Sequence, residues 1–299
     1  MNNNYSIIKA LLYFEIFDHP LNEKEILKFS KVKNGDLKNS LDFWIKKGVV
    51  KEFEGYYSTG DVRKFVQKRQ ELSRNVSKVM KKAIKRAKLI SKFPYVRAVF
   101  ISGSLSKGVF DKDDDVDFFI VTAENRLWIA RTLLVLYKKI FLLNSKKYFC
   151  INYFVTQDNL HIDEKNIFTA VELSTLIPII GNINLDELFR QNDWAFSYFP
   201  NIKNDKTSDI IKPNSIKRFF EKILNTKIGE FLEKIFAGIT VKRLKLKYKS
   251  NDNFDLIFKS NEKVSKHHPG NYQKFVIEKL NNKIENINKK FNLDIPKEI

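Results

Sequence analysis

Five carboxylates fall within seven residues, at Asp111, Asp113, Asp114, Asp115 and Asp117, shortly after a Gly103-Ser104 pair. Like charges at this density repel unless some reach solvent or share a cation. Asp115 and Asp117 flank Val116 at the head of the apolar run Val116 to Val121, which predicts a strand. Residues two apart on a strand point to one face. Two same-face carboxylates suit a hard divalent cation, most simply Mg2+, with Mn2+ as its substitute. Gly103 and Ser104 follow another apolar run, Val96 to Ile101, and offer exposed N–H groups and a hydroxyl to phosphate oxygens. Small residues let the backbone approach an anion closely. Lys107 is close enough in sequence to join them, and Gly108 relieves the turn before the acidic segment.

These groups need a scaffold, and the central region, about 94 to 183, alternates in an α/β manner. Strands are expected over Val96 to Ile101, Val116 to Val121 and Phe149 to Val155, with helices over 124 to 143 and about 166 to 180. Residues 1 to 60 read as three short helices followed by a hairpin, the layout of a winged helix-turn-helix domain. Asn22 and Glu25 have capping-box spacing, and Glu54-Gly55 marks the hairpin turn. The candidate recognition helix, 36 to 47, mixes Lys38, Lys46 and Lys47 with Asp36 and Asp42, and Trp44, Tyr56 and Tyr57 are expected to pack the wing. Residues 61 to 93 carry 12 Lys or Arg against two acids over an apolar stripe, and predict one long basic linking helix. From 184 to 299 the chain reads as mainly helical, with a basic helix from Pro213 to about Tyr248, where Gly229 and Gly238 mark candidate breaks.

With 54 basic and 35 acidic residues, a formal charge of +19 favours polyanionic partners: RNA or DNA through the basic helices and the wing, nucleotide phosphates, or an anionic membrane. Apolar residues make up 43% of the 299, including 26 Phe, enough for an ordinary core. A single cysteine, Cys150, excludes an internal disulfide framework and a thiolate-rich zinc site. No long apolar window and no basic-then-apolar leader is apparent, so the expectation is a cytoplasmic protein with no membrane partner. Arg126 and Arg131 are secondary candidates for phosphate contact. Trp128 is read as core, and His267-His268-Pro269 as a turn contact in preference to a zinc site.

The run from Val99 to Thr122 resembles the signature of the DNA-polymerase-beta-like nucleotidyltransferase superfamily: a glycine-serine turn, then Asp-hydrophobic-Asp about ten residues later. Beyond that core, Ala123 to Arg131, Phe149 to Val155, the helix from Thr169 and the segment Tyr13 to Leu21 are similar to those of poorly characterised prokaryotic nucleotidyltransferase-domain proteins. The resemblance implies an α+β fold with a mixed sheet, and Mg2+ held by Asp115 and Asp117 against a triphosphate. It also implies transfer of a nucleoside monophosphate to a hydroxyl acceptor. Family members carry a third carboxylate on a later strand, where this chain has Asn152. An amide oxygen can ligate a metal but cannot serve as a general base. Asp114, Asp158 and Glu172 are the candidate substitutes. The competing expectation is a catalytically impaired relative serving as a nucleotide- or nucleic-acid-binding regulatory module.

Overall fold

The structure, a computed structural model, describes residues 5–181, 185–202, 209–210, 214–247, 260–266 and 272–298. Its centre is a five-stranded mixed sheet of β4 (Val96–Ser102), β5 (Asp117–Thr122), β6 (Cys150–Thr156), β7 (Ile177–Gly181) and β8 (Val264–Lys266), in the order β7-β4-β5-β6-β8. Only β5 and β6 run parallel. The crossover between them is α7 (Leu127–Phe141). The middle strands read as nearly continuous apolar runs because both faces are covered. Ala98, Phe100, Phe119, Val121 and Val155 enter one core cluster, while Val99, Ile101, Phe118, Ile120 and Phe154 enter another on the opposite face.

Two elements of the sheet differ from the sequence expectation. The helix expected over 166 to 180 stops early: α8 spans Ile167–Thr175 and β7 follows as an edge strand. Proline disfavours helical backbone at the residue before it, here Ile177, and within a sheet it is tolerated at an edge. The C-terminal region contributes more than helices, since β8 pairs with β6 and closes that side of the sheet.

The N-terminal residues form α1 (Tyr5–Glu15), α2 (Glu23–Lys28), α3 (Leu37–Lys46) and a three-stranded antiparallel sheet of β1 (Leu21–Asn22), β2 (Lys51–Phe53) and β3 (Tyr56–Ser58). Asn22 and Glu25 complete the capping box at the head of α2. Glu54 and Gly55 both take positive φ, as a type I′ hairpin turn requires. This unit shares its core with the central sheet. Ile7, Leu11, Phe14 and Trp44 belong to the same buried cluster as Phe100, Phe119 and the last described helix, Tyr272–Phe291.

In place of one long helix over 61 to 93 there are two, α4 (Val62–Ser73) and α5 (Val76–Ile90). The Leu72 carbonyl accepts the Phe110 N–H (3.2 Å), and the Ser73 hydroxyl donates to the carbonyls of Arg69 and Gly108. The loop after the glycine-serine turn thus interrupts the helical ladder. Beyond α9 (Leu185–Arg190) and α10 (Ala195–Tyr198), the basic stretch near the C terminus likewise splits into α11 (Ser215–Leu224) and α12 (Lys227–Lys247). The break falls at Asn225-Thr226, and both Gly229 and Gly238 lie inside α12. A Cβ on Gly229 would stand 1.7 Å from the Leu224 carbonyl oxygen, so this glycine permits the close approach of the two helices.

Helix α11 is inverted with respect to its amphipathic pattern. Lys217 is buried, donating to the carbonyls of Ser91 (3.0 Å) and Val96 (2.7 Å), and Glu221 accepts from the Tyr95 N–H and pairs with Arg97. Ile216, Phe219, Phe220 and Ile223 are exposed. Lys217→Ala leaves two carbonyls without their donor in a buried setting. The expected loss is about 2–4 kcal/mol in urea unfolding. Lys222→Ala, at an exposed position of the same helix, is expected to stay within about 0.5 kcal/mol.

Candidate functional site

Strand β4 leads directly into the glycine-serine turn, and register pairs Ser102 with Asp117 at the start of β5. Gly103 takes a φ of +70°, and a Cβ there would lie 2.6 Å from the Asp117 carboxylate oxygen Oδ2. The turn therefore closes against the carboxylate only without a side chain. Ser104 Oγ donates to Asp114 Oδ2 at 2.8 Å, and the Asp111 N–H donates to the same oxygen at 2.9 Å. Asp114 thus ties the acidic segment to the turn.

That tie shapes the acidic cluster. The backbone from Asp111 to Val116 is a loop, and the strand begins at Asp117, so Asp115 precedes the strand on which alternation was expected. Asp113 is exposed and Asp114 is bonded to the turn. Asp117 lines a cavity of about 410 Å³. Asp115 is absent from that lining but lies within electrostatic reach of Asp117 and Cys150.

The cavity also collects Gly103, Ser104, Lys107, Asn152 and Glu172. Lys107 Nζ donates to the Gly103 carbonyl (3.1 Å) and to Glu172 Oε1 (2.8 Å), joining the turn to α8. Asn152 Nδ2 approaches Cys150 Sγ at 2.8 Å. Burial raises the Cys150 pKa, reinforced by the neighbouring Asp117, so the group stays a thiol. Burial also lifts Asp117, to about 6, with Glu172 and Asp115 adding to the rise and Cys150 and Lys107 opposing it. Of the three candidate substitutes for a strand carboxylate, Asp114 and Glu172 reach the cavity. Asp158 instead pairs with Lys263 at 2.8 Å.

Other sequence candidates lie elsewhere. Arg126 stacks over Tyr95, and Arg131 over Trp128, at 5.7 Å in each case, and Trp128 is buried as expected. His267 and His268 fall outside the described residues. Part of the lining was assigned no role from the sequence: Phe17, Asp18, His19, Arg69, Lys266 and Tyr272, of which the first three lie in the Tyr13 to Leu21 segment noted only for its resemblance. These six come from four separate stretches of chain, and no spacing rule links them.

Among the described residues, no three His, Cys, Asp or Glu side chains form a metal-holding group. The donors present are nonetheless hard oxygens, and Asp117 is a half-buried acid raised first by desolvation and then by Glu172 and Asp115, a strain that a cation relieves. Mg2+ commonly uses one or two carboxylates and completes its shell with water and substrate phosphate. Asp117 and Asp115, with the Asn152 carbonyl, fit that requirement in donor chemistry.

Residues 80–223 match the nucleotidyltransferase domain family, and a nucleotidyltransferase domain of the polymerase-beta-like superfamily is present there. The match begins within α5, takes in the strands β4 to β7 and the helices between them, and ends within α11. No curated protein and no solved structure matches the chain. Among the described residues, no helix is long and apolar enough to cross a membrane.

The raised Asp117 pKa has a signed consequence for stability. Folding disfavours the charged form, so Asp117 costs nothing below its ordinary value of 3.8, increasingly more as pH rises to about 6, and its full penalty above that. Asp117→Asn is therefore expected to melt above wild type at pH 7–8, by about 1–3 kcal/mol, and to converge with it near pH 4. Thermal melts from pH 4 to 8 measure this. A gap that widens toward acid would contradict the assignment.

Proposed function

With a nucleotidyltransferase domain as premise, we propose that the chain moves a nucleoside monophosphate from a nucleoside triphosphate to a hydroxyl acceptor in a Mg2+-dependent reaction. The observation that carries this reading is the convergence of Gly103, Ser104, Lys107, Asp117 and Glu172 on one cavity. Asp115 and Asp117 would hold the metal, joined by the Asn152 carbonyl. Bound there, the metal supplies charge compensation to the phosphate oxygens. The Gly103-Ser104 turn and Lys107 position the outer phosphates.

Chemically, the acceptor oxygen forms a bond to the α-phosphorus while the bridging oxygen between the α- and β-phosphates leaves with pyrophosphate. The acceptor's proton needs a base, and Asn152 cannot take it. Glu172, on α8, supplies the carboxylate missing from β6. Lys107 now holds that carboxylate at 2.8 Å. A triphosphate that draws Lys107 away leaves Glu172 able to receive the proton.

Titration calorimetry with each nucleoside triphosphate and Mg2+ tests the binding half. Asp117→Asn and Asp115→Asn are each expected to weaken binding by about tenfold or more; equal affinity in all three proteins would remove the site. Glu172→Gln is expected to keep the binding and lose label transfer by about 10²–10⁴-fold. Tight wild-type binding without transfer would favour the competing reading, an impaired relative with a regulatory role, for which Asn152 is the motive.

RNA or DNA as a further partner is supported by the exposed lysines of α5, namely Lys78, Lys81, Lys82, Lys85 and Lys88. Phosphate contacts of this kind weaken steeply with salt. Anisotropy titrations at low and moderate salt are expected to show saturable, salt-sensitive binding. No binding at low salt would leave the charge as composition alone.

A further inference from the structure

Part of the cavity lining, Phe17, Asp18, His19, Arg69, Lys266 and Tyr272, comes from chain outside the nucleotidyltransferase domain. Helix α1 ends at Glu15, and the chain turns at Asp18, whose φ of 51° lies in the left-handed region. Aspartate is among the few non-glycine residues that enter this region readily. The His19 N–H then bonds back to the Phe14 carbonyl at 3.1 Å. Helix α4 fixes the turn from outside. Lys68 pairs with Asp18 at 2.6 Å, and Arg69 donates both to the Pro20 carbonyl and to the two oxygens of Glu25.

This bracing presents His19 to the cavity. His19 is only 7% exposed and lines the cavity. Neither of its ring nitrogens hydrogen-bonds to a described residue. They are not sealed off by protein, so they are accessible to a molecule held in the cavity that His19 lines. Burial, with the cations Arg69 and Lys107 nearby, holds the His19 pKa down to about 3. The ring is therefore neutral at physiological pH and offers one donor and one acceptor. The His19 ring lies 5.6 Å from that of Phe14, and the same cavity is lined by Phe17, Phe168 and Tyr272 from three stretches of chain. Tyr272 lies 6.3 Å from Phe17 and 6.1 Å from Phe168, centroid to centroid. The Gly103-Ser104 turn and Lys107 line the same cavity.

We infer that this wall is the nucleobase subsite: the base of the triphosphate stands against Phe17 and Tyr272 and hydrogen-bonds to His19, which selects among bases. A planar heteroaromatic group with adjacent donors and acceptors matches a slab of aromatic rings beside a neutral imidazole. The N-terminal unit then supplies specificity, and the glycine-serine turn and carboxylates supply the chemistry. The inference rests on the triphosphate reading above.

The test compares the four nucleoside triphosphates with tripolyphosphate, which has no base, by calorimetry with Mg2+. Wild type is expected to prefer one base by about tenfold or more. His19→Phe, which keeps a ring but removes both nitrogens, is expected to erase that preference while leaving tripolyphosphate affinity within about twofold. Tyr272→Ala, at a half-exposed position that should not disturb folding, is expected to weaken all four triphosphates and spare tripolyphosphate. His19→Gln is expected to restore part of the selectivity. Unchanged base preference in His19→Phe together with unchanged triphosphate affinity in Tyr272→Ala overturns the inference, as does wild-type binding of tripolyphosphate as tight as that of every triphosphate. If wild type binds none of these ligands, the transfer reading itself falls.

Discussion

The site depends on one close approach, the Gly103 backbone against the Asp117 carboxylate. Antiparallel pairing of β4 with β5 brings Ser102 opposite Asp117, and the next residue must turn away with φ of +70°. An added methyl at 103 would meet a carboxylate oxygen at 2.6 Å. The glycine thus serves two geometric demands, left-handed backbone and absence of a side chain. It sets the turn and the acid side by side in the lining of one cavity. Ser104, tied to Asp114, extends the same arrangement into the acidic loop, so several carboxylates are sorted into separate environments.

Around that contact the chain builds two faces with different tasks. One sheet face shares a core with α1, α3, α8 and the last described helix, and this side carries the cavity. The other packs α5, α7 and residues of α12. The exposed lysines of α5 therefore stand on the side of the sheet away from most of the cavity wall. A polyanion held there would not be led into the site by that helix, which separates the question of nucleic-acid contact from that of the transferred nucleotide. The N-terminal unit, by contrast, is part of the cavity, because its core is continuous with that of the sheet.

Helix α11 shows how tertiary demands override a local pattern. An amphipathic helix ordinarily buries its apolar stripe. Here the polar face is turned inward because Ser91, Tyr95 and Val96 present backbone groups that Lys217 and Glu221 satisfy. A buried lysine costs desolvation, and its pKa is lowered to about 8 by burial. Its two carbonyl bonds offset that cost by satisfying groups that would otherwise stay unpaired.

The sequence alone determined the features that rest on short-range rules. Glycine-serine followed by Asp-Val-Asp marked the turn and the carboxylates, apolar β-branched runs marked β4, β5 and β6, and Asn22 with Glu25 marked the cap of α2. Each depends on neighbours a few residues away. What only the tertiary structure decided involves partners far apart in the chain. The Leu72 carbonyl is taken by Phe110, which splits the basic helix; β8 comes from beyond residue 260 to finish the sheet; and Glu172 reaches Lys107 across 65 residues. His19 lies in the Tyr13 to Leu21 segment that the sequence marked by resemblance alone, and its position in the cavity wall depends on α4 bracing a turn some fifty residues earlier. Spacing along a chain encodes faces and turns, whereas convergence of distant segments is set by how those faces pack.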